Sequence, residues 1–181
     1  GVVAQKFPQA RVVFGVIMGT GVGGGLVVDG RAIGGLQGIA GEWGHNFLDD
    51  SGGPCYCGKS GCVEKVLAGP SLEKFYASIA GDRKSLKEIY SLFNAGDAKA
   101  VETMQRLTHY FGKALSVIVN IIDPDVIVIG GGVGNIPEIY TDGVESVRKF
   151  AFNNGVLDTP IVKPMLGDSA GVFGAAYLVA P

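Results

Sequence analysis

All three cysteines of the chain, Cys55, Cys57 and Cys62, fall within one short stretch, and His45 precedes them. Three thiolates and an imidazole form a tetrahedral donor set that zinc accepts readily. Glycines at 58 and 61, between the last two cysteines, let such a loop fold back around an ion. Small thiols also fill cores, but not in a cluster set among Gly and Lys. An odd cysteine count argues against a disulfide framework. Four protein ligands leave no place for an activated water, so zinc held by His45, Cys55, Cys57 and Cys62 is expected to be structural.

A second chemical signal lies in the 30 glycines, which gather at Gly19–Gly25, Gly34–Gly44 and Gly130–Gly134. Any one pair reads as a tight turn. Three runs, each after or between strand-like segments, point instead to a phosphate or nucleotide site. The run from Gly19 contains a G-x-G-x-x-G match, but a dinucleotide fingerprint needs a helix after it, and here a second strand follows. No Gly-Lys-Ser/Thr sequence is present, so it is not a Walker loop. A glycine turn between two strands, holding the Thr20 hydroxyl, resembles the phosphate-gripping hairpin of actin-like and hexokinase-like ATPases.

The elements that must carry these residues read as follows. Arg11–Met18 is a buried strand rich in β-branched residues. Leu26–Asp29 and Arg31–Ile33 are short strands joined at Asp29-Gly30. Residues 34–63 lack a period and form a long functional loop region. A helix follows Pro70, with Leu72, Phe75, Tyr76 and Ile79 on one face and Gly81 at its end. Ser85 and Glu88 form a capping box ahead of the next helix. A long helix spans Ala98–Ile122 with a stripe of Val101, Met104, Leu107, Phe111, Leu115, Ile118 and Ile122, stopped by Asp123-Pro124. A strand at Asp125–Ile129, a helix from near Pro137, a strand at Ile161–Lys163 and a last helix after Gly171 complete the chain. The order predicts one α/β domain with a mixed sheet covered by helices. His109, in the long helix, reads as a plain surface or core residue.

Composition narrows the function classes. With 47% hydrophobic and 18% charged residues, the 181-residue chain is too apolar to be disordered. Fifteen Lys and Arg against seventeen Asp and Glu give a net charge of −2 with no block of like charge, which excludes nucleic acid and anionic membranes as expected partners. The apolar stretch around Val126–Ile129 is far too short to span a bilayer. No charged-then-apolar segment opens the sequence, so a cytoplasmic setting is expected.

Five segments together resemble the ROK family (repressors, open reading frames, kinases). They are Gly19–Gly23, Gly41-Glu42-Trp43-Gly44-His45, Cys55–Glu64, Asp123–Gly132 and Gly167–Ala176. The resemblance spans essentially the whole chain. Glu-Trp-Gly-His and Cys-Tyr-Cys-Gly-Lys incline it toward the bacterial fructokinase (manno-fructokinase) branch. It implies the C-terminal lobe of the actin-like ATPase (ribonuclease H-like) fold over 1–181, with a zinc loop inserted at 42–64. It also implies that Gly19, Thr20, Gly21, Gly23 and Gly24 meet the phosphates of ATP, a co-substrate with Mg2+, and that Gly131 and Gly132 lie against the adenosine. Glu42, His45 and Glu64 would bind hexose hydroxyls, since an ionised carboxylate accepts from two adjacent hydroxyls. Without the flanking zinc ligands, Glu42 and Glu64 would read as solvated loop carboxylates.

Family members also carry an N-terminal lobe with an Asp-x-Gly-Gly-Thr loop and an Asn-Asp pair supplying the general base. Neither occurs here, so no catalytic residue is assigned: Asp29, Asp49, Asp50 and Asp168 match no base position. The expectation is a C-terminal kinase lobe whose N-terminal lobe is absent from this chain, inactive alone, assembling as a homodimer, with fructose as the expected hexose. The alternative is the sugar-sensing domain of a ROK repressor; a stand-alone zinc interaction domain would leave the glycine hairpin unexplained.

Overall fold

A computed structural model describes residues 5–152, 154–165 and 167. Its sheet is built outward from β1 (Val12–Met18). On one side β1 pairs antiparallel with β2 (Val22–Val28), which pairs antiparallel with β3 (Arg31–Ile33). On the other side it pairs parallel with β4 (Val126–Gly130), and β4 parallel with β5 (Ile161–Val162). The order β3-β2-β1-β4-β5 is thus a mixed sheet, as the element order implies.

The second strand departs from the reading of the sequence. It begins at Val22, not Leu26, so most of the glycine run is strand and only Gly19–Gly21 form the turn. The cause is tertiary. A Cβ on Gly24 would lie 2.7 Å from Trp43 Cδ1 and 2.8 Å from Phe14 Cζ, closer than atoms pack, so the strand passes under the indole only as glycine. At the far end, Asp29 and Gly30 both have positive φ (50° and 77°), the geometry of a tight two-residue hairpin turn.

Helices α1 (Val63–Leu67), α2 (Gly69–Ala80), α3 (Leu86–Asn94) and α4 (Ala98–Ile122) follow. Gly81 ends α2 in the left-handed conformation, and Ser85 and Glu88 close the capping box on α3. Asp97 caps α4 by accepting from the amides of Lys99 and Ala100. Asp123 turns left-handed at its end, ahead of Pro124. Met104, Leu107, Phe111, Leu115 and Ile118 of α4 join Phe14, Val16 and Met18 of β1 and Ile127 and Ile129 of β4 in one core. Val101 and Ile122, the ends of the expected stripe, are only half-buried.

Beyond β4, a single helix is expected from Pro137. Instead Pro137–Tyr140 is a 3-10 turn, Thr141 breaks the backbone at φ −114° and ψ −86°, and α5 runs over Asp142–Phe150. Proline fixes a first-turn φ that suits either helix type, so it marks a start without fixing which helix starts. The helix expected after Gly171 lies outside the described residues. No described helix is long and apolar enough to cross a membrane.

Candidate functional site

The long loop between β3 and α1 folds around the cysteine cluster. A 3-10 turn at Trp43–His45 places His45, and antiparallel bridges Phe47 to Cys62 and Pro54 to Ser60 draw the two arms together. Backbone bonds from the Cys55 amide to the Lys59 carbonyl (2.8 Å) and from Gly61 to Gly53 (2.9 Å) close the tip. The ligand atoms of His45, Cys55, Cys57 and Cys62 all lie within 4.8 Å of one another. Cys57 Sγ is 3.6 Å from Cys62 Sγ, and Cys55 Sγ is 3.6 Å from His45 Nδ1. Zinc–sulfur bonds of about 2.3 Å in a tetrahedron set sulfurs about 3.8 Å apart, so the donor set fits the ion in chemistry and spacing. Burial pushes the Cys62 thiol up to about 12, with Cys57 and Cys55 adding to the effect. The Lys59 amide holds Cys57 below its ordinary range. A cation would remove the first penalty by stabilising the thiolate.

His45 turns Nδ1 to this cluster and Nε2 to the Tyr56 hydroxyl, 2.9 Å away, with the two rings edge to face. Glu42, Trp43, His45, Tyr56 and Lys59 line an open cleft of about 680 Å3. Partial desolvation, then the charges of Glu64, Cys55, Glu42 and Cys57, raises the Tyr56 pKa, so both glutamates act on that hydroxyl. Sequence alone gives Tyr56 no role, although it stands between Cys55 and Cys57. His109 is exposed, sits edge-on to Tyr110 and Phe150, and is not one of the four clustered donors.

The nucleotide-type features gather at the ends of β1 and β4, where parallel strands of α/β sheets commonly bind ligands. The turn between β1 and β2 leaves Thr20 exposed, and no described group accepts from the amides of Thr20 or Gly21. Such free amides in a tight turn suit an anion. Beside it, Gly131 has φ 84°, and a Cβ there would lie 2.4 Å from the Met18 carbonyl oxygen. Only glycine lets the turn after β4 rest on the end of β1. Gly132 follows closely, since a Cβ on Gly19 would be 3.9 Å from its amide nitrogen. The Tyr140 hydroxyl donates to Gly134 O (2.7 Å) and holds this turn from behind.

Gly132 also borders a second cleft of about 320 Å3, with Leu86, Tyr90, Ile136 and Pro137 around it. Tyr90 stacks on Phe93. Leu86 and Tyr90 are one helical turn apart, a spacing the sequence displays but which is equally that of a core stripe. Gly23 and Gly24, grouped with the phosphate turn from sequence, stand in β2, and Gly24 packs on Trp43 and Phe14. Glu64, in the first turn of α1, is half-buried between the two regions, and its Oε2 accepts from the Val22 amide at 3.1 Å.

A glycine hairpin on a mixed sheet, a glycine turn beside it and helices behind define the actin-like ATPase fold. Residues 3–181 match the ROK family, and the chain belongs to it. It is 36% identical over 184 residues to an N-acetyl-D-glucosamine kinase of Aliivibrio fischeri, covering 96% of this chain and 60% of that protein. A crystal structure of a ROK hexokinase from Thermus thermophilus superposes with TM-score 0.85 at 35% identity, covering 94% of this chain and 58% of the other. A ROK glucokinase from Streptomyces griseus, in complex with glucose and AMPPNP, gives TM-score 0.85 at 26% identity over 94% of this chain and 61% of the other. The chain thus spans about 60% of the length of the curated relatives it matches.

Proposed function

We propose that the chain is the C-terminal lobe of an ATP-dependent hexose kinase. The observation that carries this is the meeting of the Gly19–Gly21 hairpin with the Gly131–Gly132 turn at the carboxyl ends of β1 and β4, close to a carboxylate-bearing cleft. In this reading Thr20 and Gly21 offer free amides and a hydroxyl to the ATP phosphates, with Mg2+ balancing their charge. The cleft edged by Tyr90 and Ile136 takes the adenosine. Glu42, His45 and Glu64 take the sugar, with Tyr56 fixing the ring of His45. Zinc on His45, Cys55, Cys57 and Cys62 holds the loop that carries the sugar-side groups.

Phosphoryl transfer depends on positioning and charge stabilisation, and the chain supplies only part of that. Asp29 is paired with Arg11, and Asp49 accepts from Ser51, so both serve local structure. Asp168 lies outside the described residues. The isolated chain is therefore expected to bind ligands without turnover. Relatives named as kinases, together with the free amides of the hairpin, support a kinase over the sugar-sensing domain of a repressor. The motifs around Trp43 and Tyr56 suggest fructose, whereas the names of curated relatives suggest N-acetyl-D-glucosamine. Association as a homodimer belongs to the same reading, and light scattering on the purified chain tests it.

The deciding experiment is calorimetric titration of the zinc-loaded chain with AMPPNP and, separately, with fructose, glucose and N-acetyl-D-glucosamine. Saturable binding of AMPPNP and of one hexose is the expected result. Glu42→Gln should weaken the hexose by roughly tenfold or more and leave AMPPNP unchanged. A chain that binds no nucleotide, or one that turns over hexose unaided, would overturn the reading.

A further inference from the structure

We infer that Glu64 is a positioning residue for the phosphate hairpin, so that the metal loop sets the grip on nucleotide as well as on sugar. This rests on the nucleotide site proposed above. The hairpin is fastened to the α1–α2 segment at two points. The Gly69 amide donates to Gly19 O at 2.8 Å, and the Val22 amide donates to Glu64 Oε2 at 3.1 Å. These bonds bracket the two residues whose amides are free. Gly21 is shaped to the same carboxylate, since a Cβ there would fall 2.7 Å from Glu64 Oε2. No described residue donates to the other oxygen, Oε1, which leaves it for a ligand hydroxyl.

The carboxylate is fixed in turn by the metal loop. Cys62 caps α1 and its carbonyl accepts from Lys65 at 2.9 Å. The Val63 amide donates to Asn46 O at 3.0 Å, next to ligand His45. Ser71 Oγ donates to the Glu64 carbonyl at 2.9 Å and joins α1 to α2. A short continuous path therefore runs from two zinc ligands through one side chain to the turn that would hold phosphate. A carboxylate near a helix start has a simpler use, favourable interaction with the helix dipole, but that would not require it to reach across to another element. Assignment to the sugar alone would leave the Val22 bond and the shape of Gly21 without purpose.

The test is AMPPNP binding to the zinc-loaded chain, measured by calorimetry, with folding checked by circular dichroism. Glu64→Ala removes the acceptor and should weaken AMPPNP roughly ten- to a hundredfold, the usual effect of losing a bond to a charged group. Glu64→Gln keeps an amide oxygen for Val22, so its AMPPNP affinity should stay within a few fold of the parent while hexose affinity falls. Gly21→Ala should displace the carboxylate, so its cost should be much smaller when Glu64 is already alanine. Chelating the zinc should lower AMPPNP affinity in the same direction as Glu64→Ala.

Equal AMPPNP affinity in parent and Glu64→Ala would overturn the inference while leaving the nucleotide site intact. Additive effects of Gly21→Ala and Glu64→Ala would also overturn it. If Glu64→Ala does not fold, the Glu64→Gln comparison and zinc removal still decide: loss of AMPPNP affinity in Gln, or no change on chelation, counts against it. A parent chain that binds no AMPPNP would remove both this inference and the reading beneath it.

Discussion

Residue scale is where the sequence speaks most directly, because metal ligands and tight glycines are chemical requirements. The four donors at 45, 55, 57 and 62 are named by residue type alone, and the structure brings their atoms within 4.8 Å of one another. Cys57→Ser is expected to lower zinc well below about one per chain and to lower the melting temperature together with it, because structural zinc adds its binding energy to folding. Metal analysis beside a thermal melt checks this; a variant that loses zinc and melts unchanged would mean the loop stands without it. Less could be read of Tyr56 and Glu64. Their partners, His45 Nε2 and the Val22 amide, are supplied by the fold and have no signature in local sequence.

Among the elements, α4 was legible nearly to the residue, since its stripe and the Asp123-Pro124 stop agree with the helix observed. Asp97→Ala should cost about 1 kcal/mol, a fall of roughly 2–4 °C in melting temperature for a domain of this length. Only the second half of β2 was legible: three consecutive glycines suppress the strand pattern before Leu26, and the Trp43 indole and Phe14 ring account for Gly24 alone among them. The turn at Pro137 failed for a related reason, because the break at Thr141 has no sequence mark. Where β1 meets β4, Asp125 Oδ2 accepts from the amides of Arg11 and Val12, each at 2.8 Å. First the Val12 amide and then that of Arg11 hold its pKa below the ordinary value. The native carboxyl thus binds protons less readily than the unfolded one. Its stabilisation is complete above about pH 4 and is lost as acid protonates the folded form. Urea unfolding at pH 7 and at pH 3 should show Asp125→Ala destabilised more at pH 7, so the two midpoints converge as pH falls. An equal deficit at both pH values would show that the charge is not the cause.

For the molecule as a whole, the parallel pairing of β1 with β4 has a kinetic consequence. Residues 11 and 125, joined by a hydrogen bond at the start of these strands, are separated by 114 positions in the chain. The β1–β2–β3 meander forms from neighbouring segments, whereas the central parallel pair must close a loop of more than half the chain. The junction where the Gly19–Gly21 turn meets Gly131 and Gly132 therefore assembles late, after the hairpin on one side of it already exists. Pulse-labelling hydrogen exchange during refolding should protect the β2 amides that pair with β1 before the β4 amides that pair with β1. If the proposed nucleotide site is right, AMPPNP present throughout should leave the early rate unchanged and slow global unfolding, because only the finished sheet would offer it a place to bind.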